Sequence, residues 1–360
     1  MPVSIVDLFC GVGGLTRGLE LSGLNVVAGL DFDETCKYAY EANNNALFLH
    51  RDITTVTGDE IQGLFPEGHT RVLVGCAPCQ PFSKLTQRYR KEEKEKGREG
   101  DQWQSDNKWR LLYSFADLVR NTLPDVVSME NVPELRNEQV FPDFVNTLTG
   151  LGFHVSYQVV FCPDYGVPQN RKRLVLLASR LGTIELIAPT HTPENYRTVR
   201  DAIGALPPIE AGVSNAQDPL HNAARLSKTN IKRIQQSVQG GTWHDWDDEL
   251  KLKCHKKKTG HTYASIYGRI SWDKPSPTIT TQFYGYGNGR FGHPEQNRAL
   301  SMREGALLQS FPPDYRFYDY ESVFSRKEVG VHIGNAVPVE LGRAIGITIA
   351  NHLREVENHG

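Results

Sequence analysis

Long apolar runs are missing from this 360-residue chain. No stretch approaches the roughly 20 consecutive apolar residues that a bilayer-crossing helix needs, so no membrane role is expected. The amino terminus lacks the basic region, apolar core and cleavage site of an export signal, because Met1-Pro2-Val3-Ser4 passes straight into a strand-like run. Cysteine is scarce, and the six present have no regular framework spacing. That argues against a disulfide-stapled secreted fold and for reduced thiols in a cytoplasmic protein. Net charge is nearly absent as well, at −2. A small total does not exclude nucleic acid, since it is blind to distribution. Basic residues crowd into Arg225, Lys228, Lys232, Arg233, Lys251, Lys253, Lys256, Lys257, Lys258 and Arg269, broken mainly by Asp245, Asp247, Asp248 and Glu249. That half of the chain is able to carry a phosphate-binding face.

What is present is an ordinary globular composition, 39% hydrophobic and 23% charged, in a length that suits two domains. Strand-forming runs recur at Val3 to Phe9, Asn25 to Leu30, Arg71 to Gly75, Asp125 to Met129, Val155 to Phe161 and Leu174 to Ala178. Helix-like stretches lie between several of them, at Leu15 to Leu21, Glu34 to Asn43, Leu111 to Thr122 and Phe144 to Leu151. Such alternation predicts an α/β fold with a largely parallel, Rossmann-like sheet, whose ligands bind at the carboxyl ends of the strands. From about Leu181 the sequence becomes Pro- and Gly-rich without a clear period, which reads as a smaller irregular lobe. A Gly-punctuated apolar stretch, Val337 to His352, has the spacing of an amphipathic helix returning to the first domain. The expected organisation is therefore 1–181, 182–325 and 326–360.

Three kinds of motif carry chemistry. Asp7-Leu8-Phe9-Cys10-Gly11-Val12-Gly13-Gly14-Leu15 joins the first strand to the first helix, and Asp31 ends the second strand at about the 20-residue spacing of a ribose-holding acid. Together they indicate an adenosine-type cofactor, without separating a nicotinamide from S-adenosylmethionine. Gly75-Cys76-Ala77-Pro78-Cys79-Gln80-Pro81-Phe82-Ser83 follows an apolar strand and holds a cysteine in a Pro-bounded turn, as a thiol nucleophile requires. Cys76 and Cys79 also form a C-x-x-C pair, open to a redox or zinc reading. No second pair with ligand-like spacing accompanies it, Cys254-His255 standing alone, so no metal is expected. Finally, Glu130-Asn131-Val132 ends a further strand and Gln169-Asn170-Arg171-Lys172-Arg173 precedes the next.

The order of these blocks, closing with Gly334-Asn335-Ala336-Val337, resembles the cytosine-5 DNA methyltransferase family of bacterial restriction-modification systems over nearly the whole chain outside about Gly182 to Trp272. Ala77 and Ala336 depart from it, standing where many relatives have proline and serine. The resemblance implies S-adenosylmethionine as cofactor, lined by Phe9, Gly11, Gly13 and Gly14, with Asp31 on the ribose and Phe32 against the adenine. It places Asp52 and Ile53 at the adenine edge and Pro78, Leu112 and Asn335 around the cofactor. It makes Cys79 the nucleophile and Glu130 the partner of the cytosine ring, with Arg171 and Arg173 holding the substrate and its backbone. The expected partner is duplex DNA with a specific cytosine-containing site, contacted by Gln80, Ser83, Arg88, Lys256, Lys257 and Lys258. The charged run Arg88 to Glu99 falls where the family has a mobile loop over the DNA. A monomer in the bacterial cytosol or nucleoid, paired with a restriction endonuclease, completes the expectation.

The chemistry suits these residue types. Carbon 5 of cytosine is a weak nucleophile until a thiolate adds at carbon 6 and pushes electron density onto it. A carboxylic acid at ring nitrogen 3 and a guanidinium at the ring carbonyl then stabilise the charge that builds there. The base must leave the helical stack for its carbon 6 to be attacked. The nearest rival is a tRNA cytosine-5 methyltransferase of the same architecture. A catalytically dead DNA-binding paralogue would not need Cys79, Glu130 and Arg173, and a nicotinamide oxidoreductase would leave Pro78-Cys79-Gln80 unexplained.

Overall fold

The computed structural model describes residues 2–78, 110–257 and 266–359; the candidate residues Cys79, Gln80, Ser83, Arg88 and Lys258 lie outside these. The chain divides into two compact units. One comprises Met1–Phe161, Lys172–Ala188 and Val339–Gly360; the other comprises Cys162–Arg171 and Pro189–Pro338.

The first unit is built on a seven-stranded sheet: β1 (Val3–Leu8), β2 (Val26–Asp31), β3 (Leu47–His50), β4 (Thr70–Gly75), β5 (Val126–Asn131), β6 (His154–Phe161) and β7 (Lys172–Ser179), in the order β3-β2-β1-β4-β5-β7-β6. Strands β1 to β5 run parallel, and β7 lies antiparallel between β5 and β6. β4 reads TRVLVG and β5 VVSMEN, near-continuous buried runs as a sheet covered on both faces demands. Strand order reverses at β1 and β4, the switch point at which sheets of this kind open a ligand crevice beyond the carboxyl ends.

Helices α1 (Gly14–Leu21), α2 (Lys37–Asn43), α3 (Gly58–Gln62), α4 (Leu111–Thr122) and α5 (Val140–Gly150) fall between the strands. Phe115 of α4 and Phe144 of α5 meet with ring centroids 5.3 Å apart, in the core that also holds Val6, Leu8, Leu73, Val127 and Met129. The last helix of the chain, Val339–His359, packs on α1. The glycines of the sequence pattern explain the approach: a Cβ at Gly18 would overlap the backbone at Val339 and Arg343, and one at Gly342 would meet the Leu15 carbonyl oxygen.

The composition change near Leu181 comes before the change of unit, because 180–188 is tied to the first unit without regular structure. Ser156 Oγ donates to the Ile184 carbonyl at 2.5 Å, and Ile187 N–H donates to Thr348 Oγ1 at 3.1 Å.

The second unit carries short helices, α6 (Val199–Ile203), α7 (Lys228–Gln236), α8 (Met302–Leu308) and α9 (Arg326–Asn335), so the terminal helix is α10. α9 falls within the segment expected to return to the first domain but packs with α8 inside this unit. Ile234, Trp243, Trp246, Leu250, Tyr286 and Ala299 form a small core. Side chains take over much of the bonding that sheets supply elsewhere. Arg269 alone donates to the carbonyls of Ser237, His293, Gln296 and Ile234 and to Asn297 Oδ1. Arg298 and Glu304 form a buried two-pronged pair at 2.7 and 2.8 Å. Burial opposes the Glu304 charge, but the Arg298 hydrogen bonds and charge outweigh it and bring the carboxyl down to about 2.

Candidate active site

At the end of β1 the backbone turns through three residues with positive φ, Phe9 at 61°, Gly11 at 51° and Gly13 at 84°. The left-handed conformation at Gly13 caps α1 without a side-chain hydrogen bond. The first N–H groups of that helix thus suit an anionic group of a ligand. Asp31, at the end of β2, secures the turn: its Oδ2 accepts the Gly11 N–H at 2.8 Å and its Oδ1 the Asp33 N–H at 2.9 Å. Phe32 follows with 71% of its surface exposed, an unusual state for a large apolar ring. His50 braces it, its Nε2 lying 2.9 Å from the Phe32 carbonyl oxygen. Asp52 accepts from Thr54 N–H and Oγ1, whereas Ile53 and Leu112 are buried in the core beside Leu30 and Phe115.

Beneath the turn, Asp7 is fully buried and accepts from Thr16 Oγ1 at 2.7 Å. Burial pushes its carboxyl up to about 7, against the hydrogen bond from Thr16.

A second cluster forms where β4 and β5 end. The parallel register Gly75↔Met129 brings Cys76 beside Glu130, and the antiparallel register Asn131↔Leu174 brings the start of β7 to the same place. Arg173 Nε lies 2.7 Å from Glu130 Oε1, and Cys76 Sγ donates to Glu130 Oε2 at 3.3 Å. Arg173 also donates from Nη1 to the Lys172 carbonyl at 2.8 Å, leaving Nη2 without a hydrogen-bond partner among the described residues. Asn131 Nδ2 donates to the Ala77 carbonyl at 3.0 Å, fixing the segment that leads to the half-buried Pro78. Burial first, then the negative charges of Glu130 and Asp7, push the Cys76 thiol well above the ordinary cysteine range. The sequence does not announce the contacts of Cys76 and Asn131; the C-x-x-C spacing is the only signal for the first.

Arg171 belongs to the second unit and is buried there. It donates to the carbonyls of Ile279 at 3.2 Å and Gly334 at 3.4 Å, while Gln169 bridges the Leu308 carbonyl and Gln309. These bonds hold the buried Arg171 guanidinium against the backbone of its own unit. Of the expected pair, only Arg173 meets Glu130. Asn335 is exposed at the end of α9, and Lys256 and Lys257 are exposed in the second unit.

A family model for C-5 cytosine-specific DNA methylase matches residues 3–351. The Type II methylase M.HgiDII of Herpetosiphon aurantiacus is 53% identical over 356 residues, covering 98% of this chain and 96% of the relative. The Type II methyltransferase M1.HphI of Haemophilus parahaemolyticus is 30% identical over 353 residues, 96% of this chain and 86% of the relative. Among solved structures, the Dnmt2 methyltransferase of S. pombe matches with a TM-score of 0.60 at 16% identity, covering 99% of both chains. With the family model spanning nearly the whole chain and a half-identical relative matched along its length, the protein belongs to the C-5 cytosine-specific DNA methylases and is a DNA (cytosine-5-)-methyltransferase.

Proposed function

We propose that the chain methylates carbon 5 of a flipped-out cytosine in a specific duplex DNA sequence, using S-adenosylmethionine and a covalent adduct at Cys79, as the modification half of a type II restriction-modification system with a cognate endonuclease. The observation that carries the chemistry is the Glu130–Arg173 pair at 2.7 Å, placed where β5 ends and next to the strand that leads to Pro78-Cys79. The restriction-modification reading rests on the kind of protein that the two curated relatives are called.

The residues fit the cofactor. The left-handed turn from Phe9 to Gly13 and the first turn of α1 suit its amino-acid part, Asp31 its ribose and the exposed Phe32 ring its adenine. Bound there, S-adenosylmethionine supplies an electrophilic methyl group. Asp52 has its Oδ1 engaged by Thr54, so its contact with the adenine edge falls to its other oxygen. Ile53 and Leu112 form apolar floor behind it.

In the reaction the Cys79 sulfur forms a bond to carbon 6, and electron density moves through carbon 5 towards nitrogen 3 and the ring carbonyl. Glu130, in its protonated form, donates to nitrogen 3. Nη2 of Arg173 donates to the carbonyl oxygen. Carbon 5 takes the methyl group with S-adenosylhomocysteine as the leaving group; its proton then passes to a water molecule, the carbon–sulfur bond breaks to regenerate the thiolate, and the proton on nitrogen 3 returns to Glu130. Extruding the base from the stack costs a few kcal/mol, which these polar contacts help to offset.

The test is incubation with tritium-labelled S-adenosylmethionine and either duplex DNA or tRNA, using wild type and Cys79→Ser. Label in 5-methylcytosine of DNA with wild type and less than about 1% of that rate with the serine variant are expected, since an alcohol supplies almost no anion near neutral pH. Label confined to tRNA would move the substrate class, and an active serine variant would remove the nucleophile assignment.

A further inference from the structure

The C-x-x-C spacing leaves one thiol without a task. With Cys79 as nucleophile, Cys76 takes no part in the chemistry above, yet it stands at the point where β4 ends against Glu130. Its sulfur lies 3.3 Å from Glu130 Oε2, within hydrogen-bonding distance for a thiol, while Arg173 Nε lies 2.7 Å from Oε1. The thiol is held in its S–H form by burial and by the neighbouring carboxylates, so it donates and Glu130 accepts.

A carboxyl group at a strand end turns about its last torsion unless something fixes its plane, and such terminal torsions are broad. Arg173 engages one oxygen from β7, and a single contact leaves that rotation open. A hydrogen bond to the other oxygen, from the residue that follows β4, closes it. The ion-pair partner and the hydrogen-bond donor stand on or beside strands that pair with opposite sides of β5, so the carboxyl plane is set by the sheet itself.

We propose that Cys76 is a positioning residue for methyl transfer: its S–H···Oε2 hydrogen bond, together with Arg173, fixes the carboxyl plane of Glu130 for the ring nitrogen of the target cytosine. The inference rests on the reading of Glu130 as the group that meets that ring. It also gives the two cysteines of the motif different work, one donating a hydrogen bond as a thiol and the other attacking as a thiolate.

The test uses the full-length protein as Cys76→Ala, Cys76→Val, Cys76→Ser, Glu130→Ala and the Cys76→Ala/Glu130→Ala double variant. Single-turnover methylation is measured at saturating duplex DNA and S-adenosylmethionine, together with the KM for DNA and the Kd for S-adenosylhomocysteine. Loss of one hydrogen bond to the Glu130 carboxyl group predicts a rate about tenfold lower in Cys76→Ala and in the near-isosteric Cys76→Val, with KM and Kd unchanged. Cys76→Ser keeps a donor and is expected within about threefold of wild type. In the Glu130→Ala background the Cys76→Ala change should add nothing further.

An equal loss in that background, a loss in KM alone, or a serine variant as slow as alanine would overturn the positioning role. So would full activity in both Cys76→Ala and Cys76→Val. If Glu130→Ala itself kept the wild-type rate, the reading of Glu130 would fall and the positioning role with it. A slow Glu130→Ala with an unaffected Cys76→Ala overturns the positioning role alone.

Discussion

The carboxylate of Asp31 accepts the backbone N–H of Gly11 at 2.8 Å, tying the end of β2 to the turn that follows β1. The same side chain that is proposed to hold the ribose therefore also shapes the loop proposed to hold the amino-acid part of the cofactor. Replacing Asp31 with alanine removes both contributions. Affinity for S-adenosylhomocysteine should fall about 100-fold by calorimetry, given about 1.5–3 kcal/mol for a hydrogen bond to a charged group and a second loss from the loosened turn. Asp31→Asn retains an acceptor for Gly11 and should lose less. Equal losses in the two variants would mean that only the charge matters.

Asp7 supplies a pH test of the ground beneath that turn. Its carboxyl is raised from 3.8 to about 7 in the folded protein, so between those values the folded state holds a proton that the unfolded chain has released. Its contribution is fully present below about pH 4, declines as pH rises and is gone above about pH 7, at up to about 1.4 kcal/mol per pH unit. Asp7→Asn keeps an acceptor for Thr16 and cannot titrate. The stability of wild type relative to this variant, from urea unfolding, should fall across that window and level off above it. A difference that stays flat from pH 4 to pH 8 would show that Asp7 titrates alike in both states.

Much of this architecture is legible in the sequence. Apolar runs mark six of the seven strands; β3, Leu-Phe-Leu-His at the sheet edge with Leu47 exposed, is too short to show a period. The expected helix from Glu34 begins instead as a 3-10 turn at Glu34–Cys36, where Asp33 accepts from Thr35 N–H, before α2 takes over. Pattern also does not divide Arg171 from Arg173. Two residues apart, they look like one fork, yet the division between compact units passes directly after Arg171. The aromatics of the second half are equally ambiguous, and the buried Trp272, Phe283 and Tyr286 prove to be core. Apolar period reports burial but not which unit a side chain is buried in.

The contact between α1 and α10 depends on Gly18. An alanine there places a methyl group into the backbone at Val339 and Arg343, which no rotamer change relieves. Overpacking of this kind costs about 1–3 kcal/mol, so Gly18→Ala should lower the urea midpoint with little change in slope. Gly150→Ala is the control, since nothing lies within 4 Å of its Cβ position. Helix propensity favours alanine over glycine at both positions, so comparable losses in the two variants would show that the cost does not arise at the crossing.

Target choice is expected to reside in the part of the chain that matches no catalytic block, from about Gly182 to Trp272. Lys256 and Lys257 are exposed there and read as phosphate contacts, which lend affinity without base information. Changing both to alanine should weaken binding to specific and unrelated duplexes alike, and reduce the slope of log affinity against log salt by about 2, close to 0.9 for each phosphate that is no longer neutralised. Exchanging the whole segment with that of a relative of known, different specificity should instead change which sequence is methylated, while activity still requires Cys79. Bisulfite mapping of DNA treated with folded, soluble chimeras distinguishes the two effects, because the lysine variant should methylate the parental sites more slowly and the chimera should methylate new ones. A chimera that kept the parental sites would move base recognition out of this segment, and an unchanged salt slope would remove the two lysines from the DNA backbone.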